Sequence, residues 1–403
     1  MGTLSRLGTA AKEAALLVLN PRFVGPCLAG LFCLAVATVV GVSYLFTMAM
    51  AILALPVASY IVQTAILRGC SATRERWLVA TQGERTAAAV RISSARGPLP
   101  HGLTARDNLP PLVEADSPEG IEVPNGNDVE VRIWLRPKKR GRYVIGPTEI
   151  STWDPFGMFR LKRHLGATSE LVVYPRPIPV RVGRISRRLG EPGTAETTGR
   201  IAARGDFAGV RDWRHGDELR RVHWKTTART GRLAVVEFED SAGELATVAL
   251  DLSRGSDIGH GPVTSLDIAA GVAAYAVREH LRARRPVRLL LPHGSDIMRL
   301  ELASSMDLTK GLAALADARA GASVSAGDLL KSSARDGSVL LIVSRSDGGL
   351  AGAVREVAAR GTEVSIALID PEASNPRSPV AQAAAELERA GAEVEVVREA
   401  ERL

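Results

Sequence analysis

Residues 245–253 read LATVALDLS, and a few residues later 265–283 read SLDIAAGVAAYAVREHLRA. The first is a continuous apolar run, as expected of a strand buried on both faces. The second has apolar residues at helical spacing with its charges gathered on the remaining side. The same alternation continues to the end of the chain. VRLLLP (287–292) is followed by a short turn and DIMRLEL (296–302), and a helical region over 307–320 precedes VLLIVS (339–344). A helix around AGAVREVAAR (351–360), the strand EVSIALID (363–370), a helix AQAAAELERAG (381–391) and a last strand AEVEVVR (392–398) complete it. Strands alternating with helices of this length predict an α/β domain over 241–403, doubly wound, with a mostly parallel sheet covered on both faces.

Working back toward the N-terminus, the period changes. In DVEVRIWL (128–135), Val129, Val131, Ile133 and Leu135 alternate with Glu130, Arg132 and Trp134, the pattern of a half-buried strand. AAAVRIS, RYVIGP, TEISTW and ELVVYP repeat it, separated by the turn-forming clusters ARGPLP, PNGND and WDPFG. A small antiparallel β-sandwich-like module over 72–182 is expected.

Further back, residues 23–67 contain no charged side chain. One helix crosses a hydrocarbon core in about 20 residues, so this run is long enough for two. Gly41-Val42-Ser43 is the break, which predicts a transmembrane hairpin of Phe23–Val40 and Tyr44–Leu67 behind an N-terminal segment 1–22. A cleavable signal peptide fits poorly, and so do buried core helices, because the run is too long and too uniformly apolar. Arg6, Lys12 and Arg22 precede the first span and Arg68, Arg74 and Arg76 follow the second. The positive-inside rule then puts both termini and the soluble part in the cytoplasm of a two-span cell-membrane protein.

At 403 residues the chain exceeds one ordinary domain. Its cysteines, Cys27, Cys33 and Cys70, all lie in or beside the apolar region. A disulfide framework or thiolate zinc site in the soluble part is thereby excluded. The net charge of +7 conceals an asymmetry: residues 136–232 hold 22 Lys and Arg against 9 Asp and Glu, a net of +13, leaving −6 elsewhere. A basic middle favours an acidic protein, an anionic lipid surface or nucleic acid, without choosing among them.

The basic middle ends in the segment 183–240. A loop, LGEPGTAETTGRIAARG (189–205), leads into RDWRHGDELRRVHWKTTARTGRLAVVEFED (211–240). Asp217 can cap a helix over DELRRVHWKTTAR that stops at Gly231, where a left-handed residue is wanted. Arg221, Lys225 and Arg229 then share one stripe, Leu219, Val222 and Thr226 face the core, and Arg220 can stack on Trp224. In the following strand Glu237 and Glu239 share a face. The stripe and this acidic face either satisfy each other across a helix–strand junction or leave the basic side chains for a partner or an anion. Catalysis by His223 or His215 lacks an orienting carboxylate and a nucleophile, and phosphate-loop, dinucleotide and zincin patterns are missing. His223 and Trp224 are accordingly expected to pack and hydrogen-bond.

The stretch 204–239 resembles the signature of the bacterial family called domain of unknown function fifty-eight. The matching features are Gly205-Asp206, the Arg220-x-x-His223-Trp224-Lys225 run and the Ala228-Arg229-x-Gly231-x-Leu233 close. RGRYVIGP, WDPFGMFR and LVVYPRP look like the strands that precede it there, so the resemblance covers most of the chain. It implies a von Willebrand factor A-like C-terminal half, a link with MoxR-type AAA ATPases, and no enzymatic activity. Such domains often hold a divalent ion by Asp-x-Ser-x-Ser after the first strand, with a Thr and an Asp from later loops. Here Asp251 and Ser253 match, Gly255 replaces the second Ser, Ser256 is one place late, and Ser346-Asp347 stand near the later Asp. No Thr can be placed, so a magnesium site at Asp251, Ser253 and Asp347 is degenerate, and these residues otherwise serve to cap turns.

The resulting expectation is a non-enzymatic membrane-anchored adaptor or scaffold for a cytoplasmic AAA ATPase, serving cell-envelope assembly. Its rivals are a metal-dependent phosphoester hydrolase at Asp251, Ser253 and Asp347, and a module whose basic stripe binds anionic lipid headgroups. Nucleic acid is disfavoured because no exposed aromatics interleave with the stripe.

Overall fold

The computed structural model describes residues 21–95, 97–181, 206–213, 223–239, 245–259, 261, 263–333, 337–370 and 379–398. The chain forms two compact units, Met1–Val173 and Tyr174–Leu403. The break therefore falls some nine residues before the end expected for the β-rich module. Residues after Tyr174 belong with the second unit because Ile178 and Val180 pack into its core, and Ile178 N–H donates to Gly271 O at 3.0 Å.

The first unit opens with two helices, α1 (Pro21–Val40) and α2 (Ser43–Arg68), both long and apolar enough to cross a membrane. They reverse at Gly41, whose φ of +67° suits a residue without a side chain. Near their middle the Leu53 side chain packs onto Gly30, where a Cβ would lie 2.7 Å from its Cγ and Cδ2. Small residues permit such contacts between apolar helices. Only 11% and 17% of their apolar windows are buried, so these are not core helices of the folded part.

The strands that follow are β1 (Cys70–Arg74), β2 (Trp77–Thr81), β3 (Thr86–Ser94), β4 (Thr104–Asp107), β5 (Val113–Ala115), β6 (Ile121–Glu122), β7 (Asp128–Pro137), β8 (Gly141–Ile145), β9 (Thr148–Trp153), β10 (Arg160–Leu165) and β11 (Ser169–Tyr174). They make three sheets, ordered β1-β3-β7-β5, β10-β9-β4-β6 and β2-β11-β8, where a two-sheet sandwich was expected. Several are only two to five residues long, too short to show the alternation that marks β7. Val90, Ile92, Val131, Ile133, Ile150 and Leu171 fill a common core. One polar link crosses it: Arg74 Nη1 and Nη2 donate to both oxygens of Asp107, at 3.1 and 2.8 Å, and Thr148 Oγ1 donates to Asp107 Oδ1 at 2.7 Å. Arg74 was counted among the charges flanking the second span. With its side chain buried and paired it contributes no free charge there.

In the second unit a two-stranded sheet, β12 (Asp206–Asp212) with β13 (Ala234–Glu239), brackets helix α3 (Trp224–Thr230). Then come β14 (Ala246–Leu250), α4 (Ser265–Arg282), β15 (Val287–His293), β16 (Asp296–Leu302), α5 (Leu308–Asp317), α6 (Ala326–Lys331), β17 (Ser338–Val343), α7 (Leu350–Ala359), β18 (Glu363–Asp370), α8 (Pro379–Arg389) and β19 (Glu393–Arg398). The sheet order is β16-β15-β14-β17-β18-β19, parallel except for the edge strand β16. Alternate residues of each strand serve opposite faces. Val248, Leu250, Leu340 and Ile342 join the core under α4, while Ala249, Leu341, Ile366 and Leu368 join the one under α6 and α7. Strand order reverses at β14, whose two neighbours are β15 and β17. Ligands of open α/β sheets bind outside the carboxyl ends of the strands at such a point.

Candidate functional site

The expected metal position lies at that reversal. Asp251 and Ser253 follow β14, Asp347 follows β17, and Asp251 N–H donates to Ile342 O at 2.9 Å, so the fold does bring the two loops together. Asp251 is buried, and Ser253 N–H donates to its Oδ1 at 2.9 Å. Burial is the main influence on its carboxyl and raises its pKa; the Ser253 hydrogen bonds oppose this, nearby Asp347 adds to it and Arg345 counters it. Asp347 is engaged otherwise: its Oδ1 accepts from Leu350 N–H at 2.9 Å, at the start of α7. Gly255 sits at φ +82°, and a Cβ there would lie 3.0 Å from Arg345 Nη1. The position where a second Ser was wanted is thus a left-handed turn closed over by a guanidinium. Ser256 is buried, with a hydroxyl that has no hydrogen-bond partner.

A divalent ion fits this donor set poorly. Magnesium needs near-octahedral oxygen and a charge to balance. Here there are two carboxylates, one used as a helix cap, and a cation already beside them. Among the described residues no group of three or more His, Cys, Asp or Glu side chains is gathered to hold a metal. Arg345 is the participant that sequence reasoning missed. It stands directly before Ser346-Asp347, and a basic residue at the carboxyl end of a buried strand was the available signal.

The basic segment has a different geometry. Helix α3 begins at Trp224, with His223 as its N-cap at non-helical φ −84°, ψ 85°. A single helix from Asp217 to Arg229 therefore does not form, because the chain leaves helical geometry at His223, whose N–H donates to Ala234 O at 2.8 Å on β13. His223 Nδ1 accepts from Thr226 N–H at 3.2 Å and lies 2.8 Å from Thr226 Oγ1, so the cap works with the ring proton on Nε2. The imidazole thus serves as a helix cap. Gly231 closes the helix with φ +69°, and its N–H donates to Thr227 O at 2.9 Å, as expected. Thr227 Oγ1 accepts from Ala234 N–H at 3.1 Å, tying helix to strand.

No residue of α3 is buried. Trp224, expected to pack, is 66% exposed, while the buried apolar residues of the adjoining ribbon are Ala234 and Val235 of β13. Lys225 and Arg229 are exposed beside it, four residues apart on one stripe. Arg221, Gly205, Asp217 and the loop 189–205 lie outside the described residues. Asp206 opens β12 in register with Glu239.

Residues 209–379 match the family model described as "Protein of unknown function DUF58", a range that takes in the end of β12, α3 and most of the six-stranded sheet. No curated protein matches significantly. Among solved structures, a secreted serine protease VesC from Vibrio cholerae was found, at 9% identity and a TM-score of 0.17. The chain covers 24% of that protease and 28% of itself, too little likeness to carry an argument.

Proposed function

We propose that this chain is a membrane-anchored, non-enzymatic scaffold that displays helix α3 to a cytoplasmic protein partner. The observation that carries the reading is a helix with both ends capped and none of its side chains buried. Seven residues do not hold a helix by themselves, so the caps and the β13 tie spend structure on presenting Trp224, Lys225 and Arg229 to solvent. An exposed Trp beside Lys and Arg suits a partner face with acidic residues around an apolar pocket. The hairpin supplies the anchor: its exposed apolar surface suits lipid, and the flanking Arg22 and Arg68 favour a cytoplasmic side for the folded part. The sheet order, with one antiparallel edge strand and the Asp251 loop at the reversal, supports a von Willebrand A-like second unit. The resemblance described above makes a MoxR-type AAA ATPase the expected partner, in cell-envelope assembly.

Photocross-linking from position 224 in native membranes tests this. A cross-link to an ATPase, lost on Lys225→Glu/Arg229→Glu, is the expected result. Failure to retain any ATPase, both after cross-linking and in mild detergent, overturns the adaptor reading.

A second reading, contact of the same stripe with anionic lipid, is favoured by the membrane anchor, at about 1 kcal/mol per basic side chain near the surface. Salt-insensitive association with acidic vesicles would remove it. Phosphoester hydrolysis at Asp251, Ser253 and Asp347 is the weakest reading, because Arg345 already supplies the positive charge that an ion would bring. Calorimetry with magnesium and manganese is expected to show no heat at millimolar ion, and a saturable signal would restore the metal reading.

A further inference from the structure

The turn between β9 and β10, Asp154 to Phe159, is fastened to the helical hairpin by both polar and aromatic contacts. The Asp154 carboxylate is buried and has three donors: Ser59 Oγ of α2 at 2.9 Å, Phe156 N–H at 3.2 Å and Phe159 N–H at 2.7 Å. Gln63 Nε2 of α2 donates to Thr152 Oγ1 and Trp153 O, both at 3.3 Å. The buried Phe159 ring lies 5.4 Å from Phe23 of α1 and 5.9 Å from Tyr60 of α2. Gly157, at φ +67°, lets Arg22 approach so closely that a Cβ would fall 2.8 Å from its Nη1. One turn thus grips both helices at the same height. Met158 is buried with Phe159, whereas Phe156 of the turn and Trp153 at the end of β9 point outward, 53% and 50% exposed.

The height of that grip is set by the hairpin. Counting from the reversal at Gly41, a hydrocarbon core about 30 Å thick takes up about 20 residues of each helix, ending near Arg22 on α1 and Val62 on α2. Phe23, Ser59, Tyr60 and Gln63 straddle this limit. The turn therefore sits where hydrocarbon gives way to headgroups, the layer in which tryptophan is enriched. A carboxylate at that depth is tolerable only when hydrogen-bonded, and both oxygens of Asp154 accept.

We propose that the Trp153–Gly157 turn is a third membrane-contacting element, inserting Phe156 and Trp153 into the headgroup layer of the bilayer that the hairpin crosses and fixing the β-rich unit against it. Arg160, whose guanidinium lies 6.0 Å from the Trp153 ring, is placed to meet lipid phosphate beside it. The proposal rests on the reading of α1 and α2 as spans. It does not depend on the partner of α3.

The test uses the full chain in phosphatidylcholine–phosphatidylglycerol vesicles, with Cys27, Cys33 and Cys70 replaced by alanine and a nitroxide attached at Phe156→Cys, Met50→Cys or Trp134→Cys. Collisional relaxation by oxygen and by a water-soluble nickel chelate reports depth. The expected result is an oxygen-to-nickel ratio at 156 several-fold above that at 134 and below that at 50. A label at 156 as open to nickel as one at 134, with 50 still in lipid, overturns the turn's insertion and leaves the hairpin standing. Nickel access at 50 overturns both. Dibromo-lipid quenching of tryptophan fluorescence in the unlabelled protein is a second readout, requiring no cysteine replacement. Trp153→Phe should remove most of the quenchable emission, and an unchanged quenched fraction counts against insertion.

Discussion

Helices α3 and α4 of the second unit solve opposite problems. Fifteen of the eighteen residues of α4 are buried, whereas none of the seven in α3 is. Helix α4 is specified by what it touches: Ile268, Val272 and Leu281 fill the sheet core, and even Glu279 and His280 are buried. Helix α3 is specified by its ends, through His223, Gly231 and the Thr227 link to β13. Substitutions in α4 should therefore act on stability, and substitutions on the α3 surface on association.

The sharpest test of the packed helix is Gly271. A Cβ there would lie 2.4 Å from Arg176 O and 3.0 Å from Ile178, and the first contact is with backbone that cannot turn away. Gly271→Val should cost about 3 kcal/mol, the upper range for overpacking. A thermal melt of the detergent-solubilised chain measures it. An unchanged midpoint would show that residues 174–181 do not sit on α4.

Next in size is a pH effect from the same helix. Burial, with the Arg285 charge adding to it, lowers the His280 pKa to about 4. Between that value and the ordinary 6.5, the unfolded chain binds a proton that the folded chain does not. Stability is therefore full above pH 6.5 and declines as pH falls toward 4, by about 1.4 kcal/mol per unit at most and roughly 3 kcal/mol in all. Melts of wild type and His280→Gln between pH 7 and 4 check it, and the variant should lose this part of the slope.

Smaller again is the N-terminal cap. Thr264 N–H and Oγ1 both donate to Asp267 Oδ2, at 3.0 and 3.1 Å, in a capping box. Thr264→Ala should cost about 1 kcal/mol. The corresponding change in α3, His223→Ala, should unwind the helix without a matching loss in the global melt, which hydrogen exchange at Thr226 and Thr227 would resolve.

The same contrast explains what could be read in advance. Long apolar runs such as ATVAL and SVLLIV must be buried on both faces wherever they fold, and the 23–67 run has no charge to place, so these elements and the Gly41 break were legible from residue types alone. Asp251 and Asp347 lie near each other because the loops after β14 and β17 leave the same end of neighbouring strands at the reversal. What escaped depended on distant partners. Helix periodicity over 217–229 runs on through His223, whereas α3 begins only after that residue, at an N-cap whose N–H is tied to Ala234 on β13. Arg345 became visible as a counter-charge only when Gly255 was placed under it. In WDPFG the turn was evident, but not that its aspartate reaches Ser59, ninety-five residues earlier.

The smallest expected effect on stability is the one that best separates the two helices. Lys225→Ala and Arg229→Ala remove exposed side chains from a helix fixed by its caps, so together they should change the melt by no more than about 0.5 kcal/mol. If the stripe is a contact surface, the same pair should abolish the cross-link from position 224 and leave membrane insertion intact. If it meets lipid, partner capture should survive while binding of the chain to acidic vesicles falls and loses its salt dependence. Should the pair destabilise the protein as much as Thr264→Ala does, the stripe is paired with acids of the neighbouring strand. Helix α3 would then belong with α4 among elements defined by what they touch.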